Sequence, residues 1–501
     1  MSPPHNSLFE NLYILDMANS HEGSLEHGMR IIDETAKVVK KHGIKASVKF
    51  QYRDFDTLIH PDYMTRQDVK HIPRFLANCL PWEAFQQMND RVREHGMIRI
   101  VTPSDEHSVD KCLEHGVEIL KVPSPAATDW PLLRKIAETG MPVIISTGGL
   151  KLRHIDEVVD FFTGKRVLFA IEHCVSEYPM PSDHAQMNFL RRLIRRYPHL
   201  VVGWSGHEVP ENMEVGRAAI AAGARMLERH IGLPTPEKPL NAYSMSPEQV
   251  DAWVGEMLKV QAIMGSAGDK VENQVEFEAL RSLARGVWAK QSVKKGDSIT
   301  ANNIFFAMPL QSGQLTSGEF GRAGAEFIAS RDYAANESVN EVSQGDGDAV
   351  RAIIEDIKEL VHEANIVTGD NVEVELSHHQ GLERFKETGA AIVNILNREY
   401  CKKLIVMLTG QRHPDHMHKI KEEAFHILWG EVTLNRDGEE VLLTAGDVAV
   451  IERGQWHSFR TEQGVVFEEI STTHVRGDSY YKDPAIAAMD VVARKTVVPR
   501  W

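Results

Sequence analysis

Eight short apolar runs in the first 230 residues stop on, or directly before, a polar or ionisable residue, and amphipathic stretches separate them. The runs span residues 12–18, 46–51, 98–102, 119–124, 143–147, 167–173, 200–207 and 224–230, with helical patterns such as 25–42, 83–95 and 211–222 between them. Strand and helix thus alternate eight times, which predicts a closed parallel barrel. Barrels of this kind carry their chemistry at the C-terminal ends of the strands. The candidates are therefore Lys49, Gln51, Thr102, Lys121, Ser124, Ser146, His173, Ser205, His207 and His230.

A barrel accounts for roughly half of a 501-residue chain, so further domains must follow it. No apolar run approaches the roughly 20 residues that cross a bilayer, and the first residues have neither the basic nor the apolar segment of a signal peptide. The expectation is a soluble, cytoplasmic protein that does not act at a membrane. Cys79, Cys112, Cys174 and Cys401 form no CxxC pair, which fits reduced thiols rather than a disulfide framework. The formal charge of −15 repels nucleic acid, so an anionic substrate needs a local cationic pocket.

Lys49 and Lys121 supply such a pocket if both side chains point inward among small hydroxyl residues. Either one alone could cap a helix or pair with a neighbouring acid; two, on strands two and four, favour an anion site. His207 and His230 end adjacent strands, which lie about 4.8 Å apart, so their imidazoles could meet on one divalent ion or be satisfied by backbone carbonyls. Glu22, in the loop after the first strand, is a carboxylate candidate for proton transfer or for orienting a water.

The segments SHEGS, VKFQ, VTPSD, KVPS, PLLRKIAETGMPVIISTGG, HCVSEYP, VGWSGHEV and LERHIGL, in that order over roughly residues 10–260, resemble the serial signatures of sialic acid (N-acetylneuraminate) synthases. The resemblance implies a TIM barrel over 1–270 that condenses phosphoenolpyruvate with an open-chain aldose, giving a 2-keto-3-deoxy sugar acid and phosphate. It implies phosphoenolpyruvate contacts at Lys49, Thr102, Lys121, Ser124, Ser176 and Ser205. His207 and His230 become ligands of a divalent metal, Mn2+ or Mg2+, Glu22 the acid/base or water-positioning group, and Gln51 and Tyr178 neighbours of the sugar.

Residues 280–345, with VKKGDSITANNI and GEFGRAGAEFIASRDYAANES, are similar to the antifreeze-like (SAF) module that follows the barrel in this family. The resemblance implies a domain-swapped homodimer. The family commonly has an arginine before the proline of this module, touching an N-acetyl group; here Met308 precedes Pro309, and methionine cannot donate to an amide carbonyl. Gly206 and Ser20 also depart from common family residues, an aspartate and an asparagine. A sugar other than N-acetylmannosamine, one without the acetamido group, is expected.

The last third differs in pattern. The polar stretch 343–348 reads as a linker, 349–364 as a helix, and later short alternating runs as antiparallel sheet, with a domain expected over 350–501. Gly410, His416, His418, Glu423 and Gly430, then Gly446, Gly454 and His457, are similar to both halves of the cupin signature, with Glu452 in place of its proline. Two histidines at i and i+2 share a strand face, and Glu423 and His457 complete a three-nitrogen, one-oxygen set that leaves metal positions open. His413, His426 and His474 fall outside the spacing and are expected on the surface or in packing. The stretch resembles cupins of the sugar-isomerase type, which implies a carboxylate, Glu468 or Glu469, able to move a proton between adjacent carbons. Two alternatives remain: a cupin that only binds sugar, and a barrel that is a pyruvate-type aldolase or inactive.

Overall fold

The computed structural model describes residues 6–236, 239–266, 270–271, 273–321, 326–344, 347–369, 372–475, 477–490 and 492–498. The chain forms two compact units, residues 1–270 and 271–501.

In the first unit β1 (Leu12–Asp16), β2 (Lys45–Tyr52), β3 (Ile98–Pro103), β4 (Ile119–Val122), β5 (Val143–Ser146), β6 (Phe169–Cys174), β7 (Val202–Gly206) and β8 (Met226–His230) close into a parallel barrel. Closure is set by register: Leu12 pairs Met226, and Asp16 pairs both Lys49 and His230. Each of the eight apolar runs holds one strand. The helix Leu25–His42 shows how the pattern becomes structure. Ser24 accepts the His27 N–H at its start, Gly43 ends it at φ 62°, and Ile31, Ile32 and Ala36 face the strands.

Strand alternation sorts the barrel interior into layers. Leu12, Ile14, Ile100, Ile119, Ile144 and Ala170 build an aliphatic floor with Phe9 and Met226. One inward position further along each strand stand Asp16, Thr102, Lys121, Ser146, Glu172 and Glu228, all buried. His173 has the opposite parity from Glu172, which corrects its candidacy. Its ring packs 5.4 Å from Phe189 and 5.2 Å from Trp204, and its Nε2 lies 2.9 Å from the Ala185 carbonyl, outside the barrel interior.

The second unit opens with the helix Gln274–Leu283, and short strands follow. Gly286–Ala289 pairs antiparallel with Ile304–Ala307, and Ser298–Ile299, Phe327–Ala329 and Val342–Gln344 form a three-stranded sheet around Val287, Val293, Phe327 and Tyr333. The expected linker at 343–348 is thereby corrected: Val342–Gln344 is strand and a helix begins at Gly347, while residues 345–346 lie outside the described residues. That helix, Gly347–Glu363, buries Ile353, Ile357 and Val361 against Leu376 and Val406 of an eleven-stranded sheet and against Phe385, which follows the turn Leu382–Arg384. The 14-residue strand Glu423–Arg436 anchors the sheet, pairing with four others. It kinks at Gly430 (φ 77°), where an added Cβ would lie 2.2 Å from the Gly464 carbonyl.

Gly203 faces the barrel interior, and a Cβ there would sit 2.8 Å from the Met226 carbonyl and 3.0 Å from Glu172 Cγ. Gly203→Ala is therefore expected to cost about 1–3 kcal/mol, the usual penalty for overpacking a filled core. Urea unfolding measures it, and an unchanged midpoint would show that the layer is loosely packed.

Candidate active site and candidate metal centre

The polar layer of the barrel is a charge network. Lys49 Nζ lies 2.9 Å from Asp16 and 3.5 Å from Glu228. Lys121 Nζ contacts Glu172 and lies 3.0 Å from Glu228. Ser205 donates to Glu228 at 2.9 Å, and Lys49 reaches Thr102 Oγ1 at 3.4 Å. Two lysines thus meet three carboxylates inside a closed barrel, where unpaired charge is costly. Burial would depress Lys121, but Glu172 and Glu228 overcome it and hold the ammonium above its ordinary range. Burial would raise Glu228, but Lys121 and Lys49 hold it well below the usual carboxylate range. Glu172 goes the other way: burial lifts it to about 7, only partly opposed by Lys121.

Beside this network is a cluster of small donors. A Cβ on Gly148 would meet Ser124 Oγ at 2.6 Å, Ser176 Oγ at 2.6 Å and Cys174 Sγ at 2.8 Å. Gly148 N–H donates to Ser124 Oγ at 3.1 Å. Only glycine lets the backbone approach so closely, and the result is a group of hydroxyl and amide donors of the kind that binds anionic oxygens.

His207 lies just past β7, and its ring centroid is 5.4 Å from that of His230 at the end of β8. The 2.8 Å contact of His207 Nδ1 with the Val175 carbonyl requires a proton on Nδ1, leaving the Nε2 lone pair open. Burial, then the neighbouring His230, lowers His207 to about 3, so the imidazole is neutral near pH 7. His230 Nδ1 is 3.6 Å from Asp16. The Tyr178 ring lies 4.3 Å from that of His207, tilted by 50°, and Gln51 Nε2 is 3.5 Å from Asp16. Two neighbouring imidazoles, one with an open Nε2, are the ligand type a divalent ion takes.

Glu22 stands apart from this network. It is exposed, at φ 48°, along a 160 Å³ pocket that it shares with Ser20, His27 and Arg74. Met308 is about half exposed after the strand Ile304–Ala307 of the second unit. Gly206 faces away from the barrel interior: a Cβ would lie 2.4 Å from the Glu208 carboxylate, which pairs with buried Arg229 at 2.8 Å. An aspartate there would have to displace the Glu208 carboxylate.

In the second unit, the ligand atoms of His416, His418 and His457 all lie within 4.8 Å of one another, a grouping unique among the described residues. Each Nδ1 is anchored by a backbone carbonyl: Pro414 at 3.0 Å, Asp478 at 2.8 Å and Gln455 at 3.2 Å. These anchors leave the Nε2 atoms to face one another, the arrangement a metal needs. Glu423 Oε2 is 3.2 Å from His457 Nε2, and both atoms are buried without a hydrogen-bond partner. A cation would satisfy both. Burial, then His457, His413 and His418, keeps His416 well below its usual range and therefore neutral.

The triad opens on a cavity of about 560 Å³. Its lining corrects two expectations. His413 is buried 4.7 Å from the His416 ring, and His474 lines the cavity near Lys403, lowered to about 4 by burial and that lysine. His426 lies at the surface near Glu468. Alternation separates the two acids: Glu469 faces the cavity and Lys421, while Glu468 pairs with Lys402 on the other face.

Asp16, Glu172 and Glu228 escaped the sequence reading because each sits inside an apolar run, scored as strand rather than site. Parity could have found them: Glu228 precedes His230 by two residues, and so shares its face.

The raised Glu172 sets a pH signature. In the unfolded chain it ionises near 4.5; folded, it keeps its proton to about 7. Its contribution to stability is full below about 4.5 and is lost as pH rises to about 7. Glu172→Gln should flatten the unfolding free energy between pH 5 and 7, measured by denaturant titration. Equal slopes in both proteins would refute the assignment.

With this geometry in place, comparison with known proteins is informative. The NeuB family profile matches residues 35–269 and a cupin domain profile matches residues 403–468. A crystal structure from Chromobacterium violaceum, described as a spore coat polysaccharide biosynthesis protein E, is 38% identical with TM-score 0.64, covering 67% of this chain and 100% of its own. An uncharacterized protein of Methanocaldococcus jannaschii is 30% identical over 293 residues, covering 58% of this chain and 82% of its own. The N,N'-diacetyllegionaminic acid synthase of Campylobacter jejuni is 26% identical over 347 residues, covering 66% of this chain and 99% of its own. Closed parallel barrel, inward lysines and family match agree, and the chain belongs to the NeuB family, with a cupin domain in its second unit.

Proposed function

We propose that the barrel condenses phosphoenolpyruvate with an open-chain aldose to give a 2-keto-3-deoxy sugar acid and phosphate. The observation that carries this reading is the buried layer of Lys49 and Lys121 directly beside the Ser124, Ser176 and Gly148 donors and the His207–His230 pair. Family membership and the named activity of the Campylobacter relative support it.

In this reading Lys49 and Lys121 face the carboxylate and phosphate, with Thr102, Ser124, Ser176 and Ser205 as hydroxyl donors. Carbon three of the enol forms the new bond to the aldehyde carbon, and the aldehyde oxygen ends as a hydroxyl. Water adds to carbon two, and Glu22, which lies outside the buried layer in the exposed loop after β1, is the carboxylate assigned to orient that water and take its proton when substrate fills the mouth. Loss of phosphate from the same carbon leaves the ketone. His207 and His230 would hold a divalent ion, Mn2+ or Mg2+, whose Lewis acidity stabilises negative charge on the aldehyde oxygen. Gln51 and Tyr178 border the sugar, and the antifreeze-like module brings Met308 to a partner's site in a domain-swapped homodimer. Met308 offers no donor to an acetamido group, which favours a sugar without one.

In the cupin, His416, His418, Glu423 and His457 would hold a second divalent ion, and Glu469 is the base best placed to shift a proton on a bound sugar. An isomerase there would supply the barrel's aldehyde.

Two experiments test these readings. Phosphate release from phosphoenolpyruvate should be faster with non-acetylated aldoses than with N-acetylmannosamine, and His230→Ala should abolish it in a folded protein. N-acetylmannosamine turned over as fast as the others sinks the sugar assignment, and full activity in His230→Ala sinks the barrel metal. Metal analysis of His457→Ala should show about one equivalent less divalent ion than the parent protein; equal content would remove the cupin site.

A further inference from the structure

The cupin cavity is far larger than a metal site requires. A water occupies about 30 Å³ of liquid, whereas this cavity measures about 560 Å³, within the roughly 300–1,000 Å³ of small-molecule sites. Among the described residues, two of its lining charges have no ionic partner: Glu373, which is exposed and accepts from Asn394 Nδ2 at 3.2 Å, and Arg494. Lys495 meets Glu375 at 2.7 Å, Lys421 meets Glu469 at 2.9 Å and also contacts Glu423, and Lys403 is 3.5 Å from Glu469. Arg494 lines the same cavity and, among the described residues, has no carboxylate partner. Its guanidinium lies 4.9 Å from the Tyr481 ring, and Tyr481 in turn stacks 5.7 Å from His416.

A half-buried guanidinium without a counter-ion is an incomplete site, since desolvation is not repaid by a carboxylate. Its planar fork matches a carboxylate or phosphate in bidentate geometry. Between Arg494 and the histidine triad run uncharged hydrogen-bonding groups, the Tyr481 hydroxyl and the His379 and His413 imidazoles, joined by a 3.0 Å contact of His379 Nε2 with Tyr481. Such a strip suits hydroxyl groups.

We propose that the cupin cavity binds a monosaccharide bearing one anionic group, a sugar acid or a sugar phosphate, with that group on Arg494 and the rest of the sugar reaching toward His416, His418 and His457. The proposal rests on the metal reading above only for what the far end of the sugar meets; the anion selectivity belongs to Arg494 itself. The two sources of the anion share this recognition and differ in which acid is bound.

Calorimetric titration of the full-length, Mn2+-treated protein with gluconate, glucose 6-phosphate and glucose tests it, with metal content measured on the same samples. At least one anionic probe should bind tenfold or more tightly than glucose. Arg494→Gln should abolish that preference, Arg494→Lys should restore part of it, and metal content should stay the same. Anions held by Lys49 or Lys121 of the barrel are unaffected by Arg494→Gln, so only the difference between the proteins counts. A preference for gluconate identifies the sugar acid, and one for glucose 6-phosphate the phosphate. Equal affinities for all three probes, no binding of either anion, or an unchanged preference in Arg494→Gln overturns the proposal. Normal metal content without the preference sinks this inference alone; the preference without metal sinks the cupin metal reading alone.

Discussion

The contact between Lys121 and its two carboxylates, Glu172 and Glu228, conditions the rest of the barrel mouth. An ammonium buried inside a closed sheet survives only with partners at hand, and strand register supplies them: Ser205 pairs Glu228 across β7 and β8, and Ser146 pairs Glu172 across β5 and β6. The aliphatic floor beneath excludes water from below, which strengthens every charge interaction above it. Lys49, Asp16 and His230 extend the same network toward the His207 ring, so the lysines and the two imidazoles share one electrostatic frame.

The cupin solves a different problem by similar means. Burial keeps its histidines neutral, and backbone carbonyls fix which nitrogen of each ring faces the centre. Lys421, wedged between Glu423 and Glu469, ties a metal-facing acid to the acid on the adjoining wall. The two compact units therefore use buried lysine–carboxylate contacts in unrelated sheets, one parallel and closed, the other antiparallel.

Much of this was legible in the chain because period and chemistry coincide. The eight apolar runs yield strands since each is bounded by turn signals, and the spacing of His416, His418, Glu423 and His457 survives as geometry since an i, i+2 pair must share a strand face. What stayed hidden is tertiary. His413 falls outside the signature spacing and does pack, its ring stacked on Phe459, yet it lies on the same strand as His416 with a register shift between them and also lines the cavity. Glu208 takes the space beside Gly206 only because Arg229 from the next strand demands a partner, a pairing that no local pattern encodes.

The pairing of the two mouth lysines with three acids also bears on how a bound anion would leave. A mouth with two unmatched lysines would hold any bound anion firmly. Because Asp16, Glu172 and Glu228 already occupy those ammonium groups, a departing dianion leaves behind cations that are at once re-solvated by their own carboxylates. The same contacts that make the interior stable thus set how readily the mouth empties, tying the residence time of a leaving anion to the packing of the strands.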